Sequence, residues 1–343
     1  MLKNATLEEK NDKNFILNIL QNQKFEEYNE NSFQYVSEAL KNDKEFCLEV
    51  LKIQPNSFRF MSENLRNDKD VVIASLDKKA KFKHLDEEHL KYLGETLKND
   101  KNFIKKLIEE KGSRLIYAKD TFRNNREFVS IAIKTFPRII IGCNSEFLKE
   151  NKDLVLKSLS KDGEILNSLP LVGFRDNPEM ILTAAKNNAK ALDKAFLNPE
   201  MKDLNKILEA AVESPSNALN TALKFIPLAM QTSNIVKKAI QSNPCAIAFS
   251  REDLVDYKQL ADFAINQKIE VLSGCSEKYQ KEKILSNPKK YLSYARTNIQ
   301  KDMLINHKEF LEYASQDVKI AFEQYLKNPF LEKMKKKSIG LER

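Results

Sequence analysis

Glycine is scarce: 7 of 343 residues, about 2% against a usual share of about 7%. So few glycines disfavour sandwiches and barrels, which need many left-handed turns, and leave no glycine-rich loop to cradle a phosphate. No Walker loop, GxGxxG fingerprint or GxSxG elbow occurs. Only three histidines exist, His84, His89 and His307. His84 and His89 are spaced i, i+5, which sets the rings about 140° apart on a helix, so segment 84–89 reads as a charged turn or helix start, not a zinc site. The four cysteines, Cys47, Cys143, Cys245 and Cys275, are never paired at short spacing. That excludes a zinc knuckle or CxxC motif and leaves them as small buried hydrophobes. No run approaches 18 consecutive apolar residues, so no membrane span is expected. A hydrophobic signal region is also lacking, so cytoplasmic residence is expected, with export by a specialised secretion system as the alternative.

What the chain has is charge of both signs. The formal net charge is +8 and the pI about 9.0. Residues 1–50 carry 6 basic and 10 acidic side chains, whereas residues 101–150 carry 11 basic and 6 acidic. Interspersed signs are the pattern of a solvated helical surface rather than of a nucleic-acid stripe. Carboxylate pairs such as Glu87-Glu88 and Glu109-Glu110 read as solvated, and nothing singles out a pair for acid/base work. Lys333, Lys335, Lys336 and Lys337 read as a frayed, soluble terminus.

Self-similarity is the dominant signal. One phrase recurs: an apolar residue, a basic residue, two Asn/Asp-type residues, then Lys or Arg. It appears as Leu40-Lys41-Asn42-Asp43-Lys44, Leu65-Arg66-Asn67-Asp68-Lys69, Leu97-Lys98-Asn99-Asp100-Lys101 and Phe122-Arg123-Asn124-Asn125-Arg126. Looser copies end at Lys152 and Pro178, and Asn11-Asp12-Lys13 is an earlier partial one. The fourth place suits an N-cap, and Glu45, Asp70, Glu127, Asp153 and Glu179 follow where the helix dipole favours acids. Helical spacing then begins, as in Phe128, Ile131, Ala132 and Thr135, in Val236, Ala239 and Ile240, and in Leu260, Phe263 and Ala264. Pro55, Pro137, Pro215, Pro244 and Pro288 end the first helix of their units, and a second short apolar segment follows. Ser37, Ser62 and Gly94 stand three before the phrase, with Lys119 the exception, and small residues there would let neighbouring helices approach closely.

One unit therefore reads as cap, helix A of about ten residues, turn, helix B of about eight, cap. Helices that short are marginal alone and must gain order by stacking on their neighbours. After about residue 200 the punctuation weakens while the rhythm shortens to about 20 residues, as in diverged copies; a separate helical domain is the alternative.

Residues from about Gln34 to Leu197 resemble the bacterial repeats known as domain of unknown function 4116. The likeness rests on Tyr35-Val36-Ser37-Glu38-Ala39-Leu40-Lys41-Asn42-Asp43-Lys44-Glu45-Phe46 and its echo from Phe60 to Val72. The resemblance implies helical repeats, no catalytic residues and no known ligand, and it keeps a secreted-effector role open.

The expectation is an all-α solenoid of stacked short helical hairpins, with an N-terminal capping segment at 1–33, repeats at 34–197, diverged repeats at 198–330 and a basic tail at 331–343. Its expected role is non-enzymatic binding of another protein, without cofactor, metal or membrane. The alternative is a nucleic-acid-binding solenoid using Lys101, Lys105, Lys106, Arg114, Lys119, Arg123 and Arg126, with Lys111 beside them and Tyr117 and Phe122 interleaved. A helical enzyme or secreted effector without a recognisable motif is the third.

Overall fold

The computed structural model describes residues 2–22, 32–76, 87–215 and 221–326. His84, the four lysines from Lys333 to Lys337 and the tail at 331–343 lie outside the described residues. Every regular element among these is helical; there is no strand. The chain divides into two compact units, Met1–Ser158 and Leu159–Arg343.

The long helices begin where the phrase places them. Asp43, Asp68, Asp100, Asn125 and Asn177 are extended N-cap residues, and each side chain accepts from a first-turn amide: Phe46 N, Val71 N, Phe103 N, Glu127 N and Met180 N. Ten residues is the common length, as in Lys44–Ile53, Lys101–Glu110, Pro178–Asn187, Ser233–Ser242 and Thr297–Asn306. Asp12 caps Lys13–Asn22 in the same way, accepting from Asn14 N and Phe15 N. The N-terminal segment thus opens with the geometry of the repeats themselves.

The long helices bury adjacent pairs one turn apart, and in many these are the third, fourth, seventh and eighth residues: Phe103, Ile104, Leu107 and Ile108, or Ile235, Val236, Ala239 and Ile240. Such side chains contribute roughly 1.5–3 kcal/mol apiece when fully removed from water. In Arg126–Ala132 this register buries Phe128, Val129, Ala132 and Ile133. The expected partners Ile131 and Thr135 are half-buried and exposed, because the apolar stripe is two adjacent residues wide and one step off.

Helix B differs from expectation. In place of eight α-helical residues there is a six-residue 3-10 helix, then an extended residue, then a helix of about one turn. Examples of the 3-10 element are Pro55–Phe60, Gly112–Tyr117, Pro137–Gly142 and Pro244–Phe249. Proline at the first position suits the start, and three residues per turn stack the first and fourth side chains inward, so Phe58, Leu115, Ile140 and Ile247 are buried. The extended residue is required because an N-cap cannot be helical. Ser37 and Ser62 occupy it and accept from Leu40 N and Leu65 N.

Within each unit the elements pack on their neighbours in sequence. In Met1–Ser158, Lys13–Asn22 packs on Lys44–Ile53, and that on Lys69–Ser75. The 3-10 helices Pro55–Phe60, Glu87–Tyr92, Gly112–Tyr117 and Pro137–Gly142 form a row in which each touches the next. In Leu159–Arg343 the same row runs from Gly163–Ser168 through Ala189–Lys194, Ala222–Phe225, Pro244–Phe249 and Ile269–Gly274 to Lys308–Tyr313. This is an all-α repeat fold in which burial is shared between adjacent repeats.

Repeats late in Leu159–Arg343 are shorter because the one-turn helix is missing. Long helices start at Tyr257, Glu277 and Thr297, 20 residues apart. After Gly274 only Cys275 and the cap Ser276 precede Glu277. A buried glutamine takes over the junction. Gln280 donates to Cys275 O at 2.7 Å and accepts from Arg296 N at 2.9 Å. Gln300 repeats the arrangement on Ala295 O and Ser315 N.

Candidate functional site

The phrase that writes the helix caps also joins the repeats. In four copies its basic last residue reaches an acid of the next: Lys13 to Asp43 at 2.6 Å, Lys44 to Asp68 at 2.8 Å, Lys69 to Asp100 at 2.7 Å and Arg126 to Asp153 at 2.6 Å. These ammonium and guanidinium partners hold Asp43, Asp100 and Asp153 below the usual carboxylate range. The third residue of the phrase, an asparagine, reaches forward too. Asn42 Oδ1 accepts from Ser62 Oγ at 2.6 Å and Asn124 Oδ1 from Asn144 N at 2.7 Å. Where Gly94 replaces the serine, Asn67 itself caps the following helix, accepting from Thr96 N and Leu97 N. A Cβ at Gly94 would stand 2.1 Å from the Asn67 side chain. Close approach is therefore the reason for glycine here, whereas the two serines serve as caps.

This network absorbs most of the basic patch read from 101–126. Lys105 meets Glu127 at 2.8 Å and Lys119 meets Glu95 at 3.1 Å. Arg123 pairs with Asp120, and Arg126 with Asp153 and Asn151. Arg114 is buried between Glu87 at 3.0 Å and Glu110 at 2.7 Å, with Lys111 on Glu87 as well. Burial raises the Glu87 carboxyl, but Arg114 and Lys111 outweigh it and hold the group below its ordinary range. Lys101 and Lys106 are exposed, and neither has an ion pair among the described residues. Phe122 is buried and stacked on Phe128 at 4.7 Å, so its face is unavailable to a base; Tyr117 is half-buried.

His89 is buried against the edge of Phe58, its ring centre 5.9 Å away. Its Nε2 lies 3.1 Å from Ser75 Oγ, whose own hydrogen goes to Val72 O, so Nε2 is the donor. Burial lowers its pKa to about 4, with Arg114 assisting and Glu87 opposing. The folded value lies below the unfolded one, so stability is complete above about pH 6.5 and falls as the pH drops towards 4. The loss reaches about 3 kcal/mol at the acid end. Urea midpoints of the parent and of His89→Gln between pH 7 and 4.5 test this: the parent should show the steeper decline, and equal slopes would refute it. Cys47 and Cys275 are buried as well, and burial pushes both thiols up to about 12. Cys143 is pushed up to about 11, while Cys245 is half-buried. Among the described residues no three His, Cys, Asp or Glu side chains gather as a metal site would need. Nor is any helix there long and apolar enough to cross a membrane.

A broad concavity lies within Leu159–Arg343. It is an open groove of about 1110 Å³ between residues 223–229 and 248–253, with Asp193 at its edge. Gln231 holds both walls. The two hydrogens of its Nε2 are shared among Leu223 O, Ile226 O and Phe249 O at 3.1–3.2 Å, and its Oε1 accepts from Arg251 N at 3.0 Å. Leu228 is 60% exposed and Phe249 40%. Both line the groove with Phe225 and Ala248.

These apolar groups stand where other repeats carry charge. In Met1–Ser158 the residue after the extended cap is Glu38, Glu63, Glu95 or Asp120 in four repeats and Ser145 in the next. In Leu159–Arg343 two repeats place Leu171 after Pro170 and Leu228 after Pro227, while Glu277 follows Ser276 as in the earlier copies. Val172 is 75% exposed and Phe196 55%. The sequence signal was the replacement of Ser-Glu by Pro-Leu in register, which a search for catalytic motifs and basic stripes passes over.

Residues 12–66, 43–88, 100–149 and 125–175 match the family model described as Domain of unknown function (DUF4116). The matched region starts at residue 12, so it takes in the Asp12-capped helix, and it ends at 175. No curated protein and no solved structure matches the chain. Four matches, in two overlapping pairs over 12–88 and 100–175 and coinciding with the capped helices, identify these parts of the chain as DUF4116 repeats.

Proposed function

We propose that this helical-repeat protein is a non-enzymatic binding module that engages another protein through the groove of Leu159–Arg343. The observation that carries this is exposed Leu228, flanked on the groove lining by Phe225 and Phe249, at the repeat position that holds Glu38, Glu63, Glu95 or Asp120 in four copies. Clustered apolar surface of this kind is a mark of protein contact sites. Stacked repeats also supply a rigid platform for it. The nucleic-acid reading finds less support, because Lys105, Arg114, Lys119, Arg123 and Arg126 are already matched by carboxylates. A photo-crosslinking amino acid at position 228, compared with one at position 63, tests the proposal in cells. The expected result is a discrete protein adduct at 228 and none at 63. No adduct at 228, or one made only of nucleic acid, would remove it.

A further inference from the structure

We infer that the groove takes an apolar segment of a partner protein that carries a lysine or arginine beside its anchoring side chain; this rests on reading the groove as a protein-docking site. The argument is one of complementarity. The floor is apolar, with Phe225, Leu228 and Phe249 offered to solvent or half-offered. The charges around it are not balanced. Arg251 is held in a fork by Asp253, at 2.6 and 2.5 Å, so those two cancel. Lys224 lies over the Phe225 ring, 6.0 Å from its centre. Asp193 and Glu252 are exposed on the lining, and neither has an ion pair among the described residues. Two free carboxylates thus face one ammonium beside an apolar floor.

An acidic partner would meet these carboxylates without a free guanidinium to compensate, because Arg251 is already engaged. A basic side chain beside an aliphatic or aromatic anchor would satisfy both features together. The walls are already set by the four hydrogen bonds of Gln231, so little ordering is required on binding. Rim charges of this type act on association rate and selectivity, while the buried anchor supplies most of the affinity.

The test uses the full chain and a random-peptide phage library, followed by synthesis of the enriched peptides. Enriched sequences should pair a large apolar residue with Lys or Arg nearby. Their affinity should collapse in Leu228→Asp and fall on the order of fivefold in the double variant Asp193→Asn, Glu252→Gln. It should also weaken as salt is raised. All three positions are exposed, and an unchanged melting midpoint confirms that the variants stay folded. Peptides that need Leu228 but show no basic preference, or an acidic one, overturn this inference and leave the docking site standing. Peptides indifferent to Leu228→Asp, or no enrichment at all, overturn the docking site itself.

Discussion

Gln231→Leu is expected to lower the stability of its repeat by on the order of 4 kcal/mol. Leucine fills nearly the same volume, so packing is not the issue. The side chain is 1% exposed, and its amide serves three carbonyls and one N–H on two successive connectors. Water cannot reach that position to replace it. Each buried polar group left without a partner costs about 1–3 kcal/mol. Gln280→Leu should lose less, because Cys275 O keeps a second donor, Arg296 Nη2, at 3.0 Å. Hydrogen exchange at 221–256, set beside urea unfolding, reads this directly, since repeats open locally as well as globally. A Gln231→Leu protein within about 0.5 kcal/mol of the parent would show that the staple is incidental.

Gly112→Ala should destabilise by about 3 kcal/mol, at the top of the range for overpacking. The added Cβ would sit 2.2 Å from Ala132 O and 2.9 Å from Ala132 C and Cα. All three are backbone atoms, so the helix Arg126–Ala132 must move away. That movement strains the bond from Gly112 N to Thr135 Oγ1, now 2.8 Å. Gly163 stands in the same relation to Ala184 O, at 2.3 Å. Gly142 is the internal control, because a Cβ there meets nothing within 4 Å. Gly142→Ala should be neutral or stabilising by up to about 1 kcal/mol, through lost freedom of the unfolded chain. Equal thermal shifts for the two variants would remove the steric account.

These two cases mark the boundary of what the sequence discloses. The caps Asp43, Asp68, Asp100, Asn125 and Asn177 were legible because a cap bonds within three residues of itself. The breaks at Pro55, Pro137 and Pro244 were legible for the same local reason. Gln231, Gly112 and Asn67 act on residues about 20–30 positions away, and their partners follow only from the stacking of whole repeats. The split of helix B into a 3-10 helix and a single turn was hidden because apolar spacing over so few residues fits either geometry. At the candidate site Lys105, Lys119 and Arg126 were visible as letters, but their carboxylate partners belong to neighbouring repeats. The groove was invisible because its defining change, Pro227-Leu228 where Ser-Glu stands elsewhere, is meaningful only against the other copies.

The handoff that runs from Lys13 through Lys44 and Lys69 to Asp100 has a bearing on how such an array lengthens. Lys44 serves Asp68 ahead of it, and Asp43 is served by Lys13 behind it. A whole duplicated copy therefore arrives with one cation for its successor and one anion for its predecessor, and the surface field stays as it was. An insertion of half a copy would strand both. Growth or shrinkage of the array in whole copies is electrostatically silent, so copy number can drift while the Pro-Leu connectors elsewhere keep their surroundings.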